Sequence, residues 1–178
     1  IAALFPDESS IPAEHHHEKP VIQKEYLING HLRIWEGPMQ EVLSPVCVRT
    51  ASGLSRKAIG SYPVLTAGEA MEALDAAEHA YDNGRGFWPS MPVNGRIAHI
   101  EEFLRRMQEK KKDIIHLLMW EIGKSYNESE KEFARTIGYA RNTIEALKDL
   151  DRASSQFVAE QGLIGHIRRA PLGVVLCM

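Results

Sequence analysis

Apolar and polar residues alternate with two different periods along the chain, and the change of period separates strands from helices. Between about residue 25 and 63 the chain has short β-prone runs, and Leu32 and Ile34 alternate with His31 and Arg33, which gives one apolar face. In the stretch EYLINGHLRIW, Asn29-Gly30 predicts a tight hairpin, because both turn positions need positive φ. Further short strands are predicted around 46–48 and 58–59, and Pro45 and Pro63 favour edge positions for them.

From about residue 66 to 150 the apolar residues recur at helical spacing and predict three helical segments. Thr66 with Glu69, and Ser125 with Glu128, have the spacing of a capping box. The first and third segments are therefore expected to begin at these residues.

The middle helical segment, from about 88 to 123, contains a possible break. Asp113 is a candidate cap for a second helix there, and Gly123 is its expected end. In the third segment Gly138 lowers helix stability, which suggests a close packing contact. The expected core positions are Ala70, Met71, Leu74, Ala77 and Tyr81, then Ile97, Ile100, Leu104, Met107, Ile114, Leu118 and Ile122, and finally Phe133, Ile137, Ala140, Ile144 and Leu147.

After residue 150 the pattern becomes extended again. The apolar pairs on either side of Gln161-Gly162 predict a strand pair, and GVVLCM at 173–178 is typical of a strand buried on both faces. This order suits the first half of an α/β domain. The alternative is a complete α+β domain with 173–178 at a sheet edge. Because the chain starts with Ile1 and stops within its most apolar strand, we expect a segment of a longer chain.

Composition narrows the function classes. The 178 residues are 44% hydrophobic and have a net charge of −3, which is ordinary for a globular domain and predicts no nucleic-acid partner. No apolar run approaches the length of a membrane span, so no membrane partner is expected. Cys47 and Cys177 are both expected to be buried structural thiols, and two cysteines indicate a reducing cytoplasm.

Residues 1–24 are expected to form a surface arm with little structure, because three prolines interrupt them. They contain His15, His16 and His17. A metal site is possible in principle, but consecutive imidazoles do not converge easily on one ion, so a solvated loop is favoured. No metal ligand set is predicted, and the chain contains no complete catalytic motif.

One polar face of the third helical segment is unusual. Arg135, Tyr139 and Asn142 stand at i, i+4 and i+7, where a solvent face would more often present Lys and Glu. Such side chains form short, directed hydrogen bonds. Two interpretations remain open: the face lines a ligand, or it packs against a polar loop.

Several stretches resemble the aldehyde dehydrogenase superfamily. They are WPSMPVNGRIAHIEEFLRRM, with Trp88 before a helix and Arg96 within it, and LLMWEIGKSYNESEKEFARTIGYA, with its Glu-x-Gly-Lys and Arg135-Thr136. EYLINGHLRIWEG resembles that family's opening hairpin, and RRAPLGVVLCM the strand that leads to its first cofactor loop. Within the superfamily, SPVCVRTASG, GSYPVLT, LLMWEIGK and KEFARTI are most similar to bacterial NADP-dependent, non-phosphorylating glyceraldehyde-3-phosphate dehydrogenase.

The resemblance implies an α/β fold, the N-terminal part of the nucleotide-binding domain. It divides the chain into an arm at 1–24, the first part of the cofactor-binding domain at 25–152, an oligomerisation hairpin at 153–170 and the first strand of the nucleotide-binding sheet at 171–178. The alternative from another class is a non-catalytic interaction module of helices and hairpins.

The resemblance also implies a chemistry for the full-length protein. A cysteine thiolate attacks the aldehyde, an asparagine helps to hold the oxyanion, hydride passes to NADP or NAD, and a glutamate activates water. None of these catalytic residues is present, so the segment alone is expected to be inactive. Two site residues follow from the resemblance: Arg135 against the substrate phosphate, and Met178, whose backbone contacts the cofactor.

The expected partners are a small phosphorylated aldehyde and further copies of the same chain. The resemblance implies that the hairpin at 155–169 pairs between subunits, which gives a homo-oligomer, either a dimer or a tetramer. Its polar residues alternate with few large apolar ones, and a strand pair of this kind is marginal alone.

Overall fold

A computed structural model describes residues 2–17 and 19–177. Three short 3-10 turns come first, and the strands and longer helices follow in chain order. The strands are β1 (Val21–Ile22), β2 (Glu25–Ile28), β3 (His31–Ile34), β4 (Met39–Thr50), β5 (Gly53–Pro63), β6 (Phe157–Glu160) and β7 (Leu163–His166). The helices are α1 (Ala67–Tyr81), α2 (Phe87–Ser90), α3 (Val93–Glu109), α4 (Lys111–Ile122) and α5 (Tyr126–Ser154).

The chain divides into two compact units. The first contains the residues up to Met71 together with Glu109–Ala134, and the second contains Glu72–Gln108 and the residues from Arg135 onward. The first unit therefore holds the strands β1–β5 and α4, and the second holds α2, most of α3 and the hairpin β6–β7.

A three-stranded sheet in the order β1-β5-β4 organises the first unit. β4 and β5 are antiparallel, and their register shifts between Leu43 and Cys47, around Pro45. The predicted edge position is confirmed for Pro45, because a strand edge tolerates a residue without an N–H. It is wrong for Pro63, which is the last residue of the central strand, where the ladder ends.

Helix α4 covers this sheet. It packs on β4, and Trp120 forms the core with Val48 and Ile59. The buried residues of α4 are Ile115 and Trp120, whereas the expected stripe of Ile114, Leu118 and Ile122 is half-buried or exposed. The predicted buried face of α4 is wrong, because the indole of Trp120 fills the space over the sheet and the face that carries Trp120 is therefore the one that is covered.

The N-terminal arm is tied to the sheet, contrary to the loose loop that its prolines predicted. Asp7 pairs with Arg49 at 2.8 Å, and Glu8 pairs with Lys57 at 2.9 Å. β1 adds to β5 in parallel and satisfies backbone groups that a short exposed edge would otherwise leave unpaired.

The hairpin β2–β3 forms as its Asn-Gly turn predicts. Asn29 has φ 52° and Gly30 has φ 74°, which is the left-handed region that this turn requires. Ile28 is buried, but Leu32 and Ile34 are exposed. The alternation therefore predicted the strands correctly and did not produce a buried face in this chain.

Both predicted capping boxes are present. Thr66 N donates to Glu69 Oε2 at 2.8 Å, and Gly68 N donates to Thr66 Oγ1 at 3.1 Å, directly before α1. However, no described residue of α1 is buried, so its apolar stripe is largely exposed. Local side-chain bonds decide where this helix begins, whereas burial of its stripe needs a neighbour.

Two other helix predictions had different outcomes. Gly123 ends α4 with φ 74°, and its N–H donates to Met119 O at 3.1 Å, as expected. Asp113 is not a cap, because α4 already begins at Lys111 and Asp113 lies in its first turn. A carboxylate there still favours the helix through the macrodipole.

In the second unit, α3 faces the later part of α5. Leu104 and Ile144 line one cavity, and Ile97 and Ile137 are also buried, as predicted. The expected close contact at Gly138 is wrong for the described residues, because a Cβ placed there would meet no atom within 4 Å.

The last part of the second unit is exposed. β6 and β7 pair around Gln161 and Gly162, both with positive φ, as the sequence predicts. From Ile167 to Cys177 the chain has no regular secondary structure, and its apolar side chains are largely in solvent. The strand expected at 171–178 is thus not formed within the described residues.

Candidate functional site

The start of α5 is held by contacts that reach back to the end of α4. After Gly123 reverses the chain, Lys124 forms an ion pair with Glu132 in the second turn of α5. Ser125 Oγ accepts from Glu128 N at 3.3 Å and donates to Glu128 Oε2 at 3.2 Å. The Glu-x-Gly-Lys stretch and Glu132 therefore position α5.

Arg135 lies in the following turn of α5 and is exposed. Within the described residues its guanidinium has no hydrogen bond or ion pair. An ion pair would have supported a purely structural role, and the carboxylate of Glu132 is already bonded to Lys124. The free guanidinium is compatible with binding an anion, because it offers five donors in a planar fork.

The neighbours of Arg135 on the same helix face are also open. Tyr139 is 65% exposed, and Asn142 lines a cavity of about 530 Å³ beside α3. Thr143 is less available, because its hydroxyl donates to Tyr139 O at 2.8 Å. The buried side chains Ile137 and Ile144 lie elsewhere around the helix. Among the described residues, no polar loop packs closely enough on Tyr139 to bury it.

The cofactor prediction rests on Met178, which lies outside the described residues. The Asn29-Gly30 and Gln161-Gly162 turns both close hairpins, and neither leads from a strand into a helix. The cofactor contact at Met178 therefore stays a prediction, and no chemical step is assigned through a dinucleotide here.

The three consecutive histidines have separate partners. His16 Nε2 lies 2.8 Å from Ile11 O, and His17 Nε2 lies 2.8 Å from Ile59 O. His15 packs its ring against His116 at a centroid distance of 5.6 Å, and its carbonyl accepts from Trp120 Nε1 at 2.8 Å. Within 2–17 and 19–177, no group of three or more His, Cys, Asp or Glu is placed to hold a metal ion.

This histidine cluster has an electrostatic consequence. Burial lowers the pKa of His116 below its ordinary value, and the nearby His15 ring adds to the effect. A neutral His116 is therefore favoured in the folded chain. No local pattern indicated that His15 and His116 would meet, because they lie far apart along the chain.

The two thiols are less buried than predicted. Cys47 is half-buried, Cys177 is exposed, and neither forms a disulfide. The expectation for Cys177 failed because it assumed a covered strand. Among the described helices, none is long and apolar enough to cross a membrane.

The family model described as the aldehyde dehydrogenase family matches residues 45–178. The chain belongs to this family. The matched range includes the capped helices and the Arg135 face, and the superfamily predicted from the sequence is confirmed.

Among characterised relatives, the chain is 29% identical over 113 residues to malonate-semialdehyde dehydrogenase 1 of Bacillus licheniformis, which covers 64% of this chain and 22% of that protein. It is 27% identical over 119 residues to malonate-semialdehyde dehydrogenase 1 of Bacillus anthracis, with 67% and 24% covered. The chain thus spans about a quarter of the length of these relatives. They do not support the finer likeness to glyceraldehyde-3-phosphate dehydrogenase.

Solved structures give the same fold. Lactaldehyde dehydrogenase from Escherichia coli superposes with a TM-score of 0.63 at 24% identity, covering 80% of this chain and 27% of that one. An NAD-dependent aldehyde dehydrogenase from Sinorhizobium meliloti gives a TM-score of 0.64 at 17% identity, with 79% and 26% covered. The mixed α/β fold of the N-terminal part of an aldehyde dehydrogenase is therefore present, as predicted.

Proposed function

We propose that this chain is the N-terminal part of an aldehyde dehydrogenase that oxidises a short aldehyde with an anionic group at its other end. The observation behind this proposal is Arg135, an exposed guanidinium on a helix of the matched region that has no partner among residues 2–17 and 19–177. A free guanidinium in such a place suits a carboxylate or a phosphate, which it binds bidentately.

Two substrates fit this description. The resemblance of the sequence favours glyceraldehyde 3-phosphate, with NADP as the acceptor of hydride. The similarity to malonate-semialdehyde dehydrogenases favours malonate semialdehyde, which ends in a carboxylate. NAD is the alternative acceptor. Both aldehydes have an anionic group that Arg135 could bind. The main proposal is therefore recognition of this anionic group, and the choice between the two aldehydes is a separate question.

The chemistry follows the family mechanism in the complete protein. In the complete protein a cysteine thiolate would attack the aldehyde carbon, and bound NADP or NAD would supply the hydride acceptor. Water activated by a glutamate would then release the acid from the cysteine. We propose that the nucleophile, the general base and the oxyanion donor follow Met178. The role of this chain is then to bind the anionic end, to support the cofactor sheet and to join subunits.

The test is to change Arg135 in the complete protein and to compare substrates. Arg135→Ala should lower kcat/KM for the anionic substrate. The corresponding loss of transition-state stabilisation should be about 2–5 kcal/mol if water is excluded from the ion pair, and smaller if the pair is hydrated. Arg135→Lys should also be harmful, because an ammonium cannot bind bidentately. Plain glyceraldehyde, which has no anionic group, should be much less affected.

The matched control is Arg152→Ala, which removes an exposed arginine near the other end of the same helix, where it pairs with Asp149. Its kcat/KM should stay near wild type for all substrates. Equal losses on anionic and neutral aldehydes in Arg135→Ala would remove Arg135 from the substrate site. Assays with glyceraldehyde 3-phosphate and malonate semialdehyde, each with NADP and NAD, distinguish the two substrates.

We also propose that the complete protein is a cytoplasmic homo-oligomer, a dimer or a tetramer, whose subunits pair through 155–169. The apolar side chains of this hairpin support the proposal: Phe157, Leu163 and Ile164 are each at least 70% exposed. Exposed apolar strands of this kind gain stability when they extend a neighbour's sheet.

A further inference from the structure

A second cationic site lies in the second unit, away from Arg135. A cavity of about 560 Å³ is lined by the first turn of α3, the last turns of α5 and the segment after β7. Three arginines, Arg96, Arg168 and Arg169, line it, and among the described residues Asp151 is the one carboxylate of the lining. The lining therefore has an excess of positive charge, although the whole chain has a net charge of −3.

Arg96 has a donor without an acceptor. Its Nε atom is buried, and within the described residues it forms no hydrogen bond. A buried guanidinium N–H that lacks an acceptor is costly, and native structures rarely leave one unsatisfied. The Nε atom itself is enclosed by protein, but Arg96 also lines the cavity, so its guanidinium is a candidate donor to an oxyanion bound there.

The carbonyls at the end of α5 are bonded to other donors. The last four each have a donor already: Asp151 O from Ser155 Oγ, Arg152 O and Ala153 O from the backbone of the next turn, and Ser154 O from His166 Nε2 at 2.6 Å. The arginines are therefore not needed to cap this helix.

His166 places one of the arginines. Because its Nε2 donates to Ser154 O, the neutral ring has an acceptor at Nδ1, and Arg168 Nε lies 3.5 Å from it. The contact is long, and the rest of the Arg168 guanidinium remains available to the cavity. Since no acidic residue occupies the first turn of α3, the positive end of its dipole is also uncompensated there.

The rest of the lining is mixed, with Ser154, Ser155 and His166 as polar residues and three apolar ones. Val93, Leu147 and Leu150 contribute hydrocarbon surface to the same cavity. Its volume lies within the range of small-molecule sites and exceeds what a single oxyanion needs. A ligand that matches both the arginines and the apolar part of the lining has a doubly charged oxyanion at one end and a short carbon body at the other.

We propose that this cavity binds a small phosphate monoester, with the phosphate on Arg96, Arg168 and Arg169 and the carbon body against Leu147 and Leu150. Asp151 lies sixteen residues after Arg135 on α5, which is about 24 Å along the helix. The site is therefore separate from the proposed substrate site. Arg168 and Arg169 also lie in the segment 155–169 that is proposed to pair between subunits, so binding here requires that their side chains stay open in the oligomer.

The test is binding of glycerol 3-phosphate and inorganic phosphate to the complete protein by isothermal titration calorimetry at constant ionic strength, with chloride as the reference. Arg96→Gln and Arg168→Gln should each weaken binding by about tenfold or more, because a charge-assisted bond is lost. Asp151→Asn should tighten it by about threefold, because a competing negative charge is removed. A purely structural role of the arginines predicts no such gain.

Arg152→Gln is the matched control, since Arg152 is at the same helix end but pairs with Asp149 outside the cavity lining. It should bind within about twofold of wild type. Arg168 is exposed, so its variant should fold even if Arg96→Gln does not. Tighter binding of the ester than of inorganic phosphate supports the proposal. Inorganic phosphate binding alone contradicts the carbon-body contact. No binding, or variants that change only subunit association, would overturn it.

Discussion

The sheet β4–β5 and the hairpin β6–β7 are both antiparallel strand pairs, but only the first has a covered face. Trp120 lies over β4–β5 together with buried Val48 and Ile59. In β6–β7 every residue except His166 is exposed, and Phe157 is 70% exposed. The same turn and strand chemistry thus produced one element with its own core and one without.

The difference shows which interactions each pair depends on. The first pair is stabilised by burial against α4 and by the arm residues that bond to it. The second has a backbone ladder and a ring contact between Phe157 and His166 at 4.8 Å. A two-stranded hairpin of this kind is marginally stable by itself. We therefore expect substitutions to act on folding in the first pair and on association in the second.

The largest expected effect is at Trp120. Trp120→Ala removes the indole that covers the sheet, and both the transfer free energy and the cavity destabilise the protein. We expect a loss of about 3–5 kcal/mol in the free energy of unfolding, measured by urea denaturation of the complete protein. A loss below about 1 kcal/mol would mean that the sheet is covered by other residues.

The next effect is at Ser44, which is fully buried between β4 and α4. Its hydroxyl donates to Trp120 O at 2.5 Å and accepts from Val46 N at 3.0 Å. Ser44→Ala leaves both backbone groups without this partner, so we expect a loss of about 1–3 kcal/mol. Ser52→Ala, at an exposed position of the same strand pair's turn, should change stability by less than about 0.5 kcal/mol. Equal losses in both would contradict the buried bridge.

The hairpin should respond to protein concentration. If β6–β7 extends a neighbour's sheet, the amides of 157–160 and 163–166 should lose hydrogen-exchange protection as the oligomer is diluted. Phe157→Ser should raise the concentration at which this occurs and change unfolding within one subunit very little, because the ring is mainly in solvent. Hydrogen-exchange protection that stays the same at every protein concentration would contradict the proposed pairing between subunits.

The smallest effect concerns pH. Because the folded chain lowers the pKa of His116, the unfolded chain takes up a proton more readily as the pH falls below about 6.5. This contribution to the free energy of unfolding is therefore lost on acidification. The nearby Asp113 carboxylate makes the contribution smaller, because it raises the pKa of His116. His116→Asn should flatten the fall in unfolding free energy between pH 7 and pH 5, measured by urea denaturation. An identical pH slope in the variant would show that other groups cause the fall.

The sequence predicted local features well where a few neighbouring residues decide them. The Asn29-Gly30 turn, the Thr66 and Ser125 caps and the Gly123 helix end depend on backbone conformation and on side chains within three or four positions. The resemblance that identified the family depends on the same kind of short, ordered stretches. Arg135 was singled out as an unusual polar residue off the apolar stripe, and it is exposed, but its role at a substrate site stays a prediction.

The tertiary structure decided which of these elements are covered and which distant residues meet. The stripe of α1 and the run at 173–177 have the composition of buried segments, yet they are exposed, because burial depends on a neighbour and not on composition. Conversely, His15 meets His116, and Arg96 shares a cavity with Arg168 and Arg169, through chain reversals that no local pattern specifies. Hydrogen bonds and turns act over a few residues, so sequence alone determines them. Packing and electrostatics act between residues that are distant in the sequence, so only the folded structure determines them.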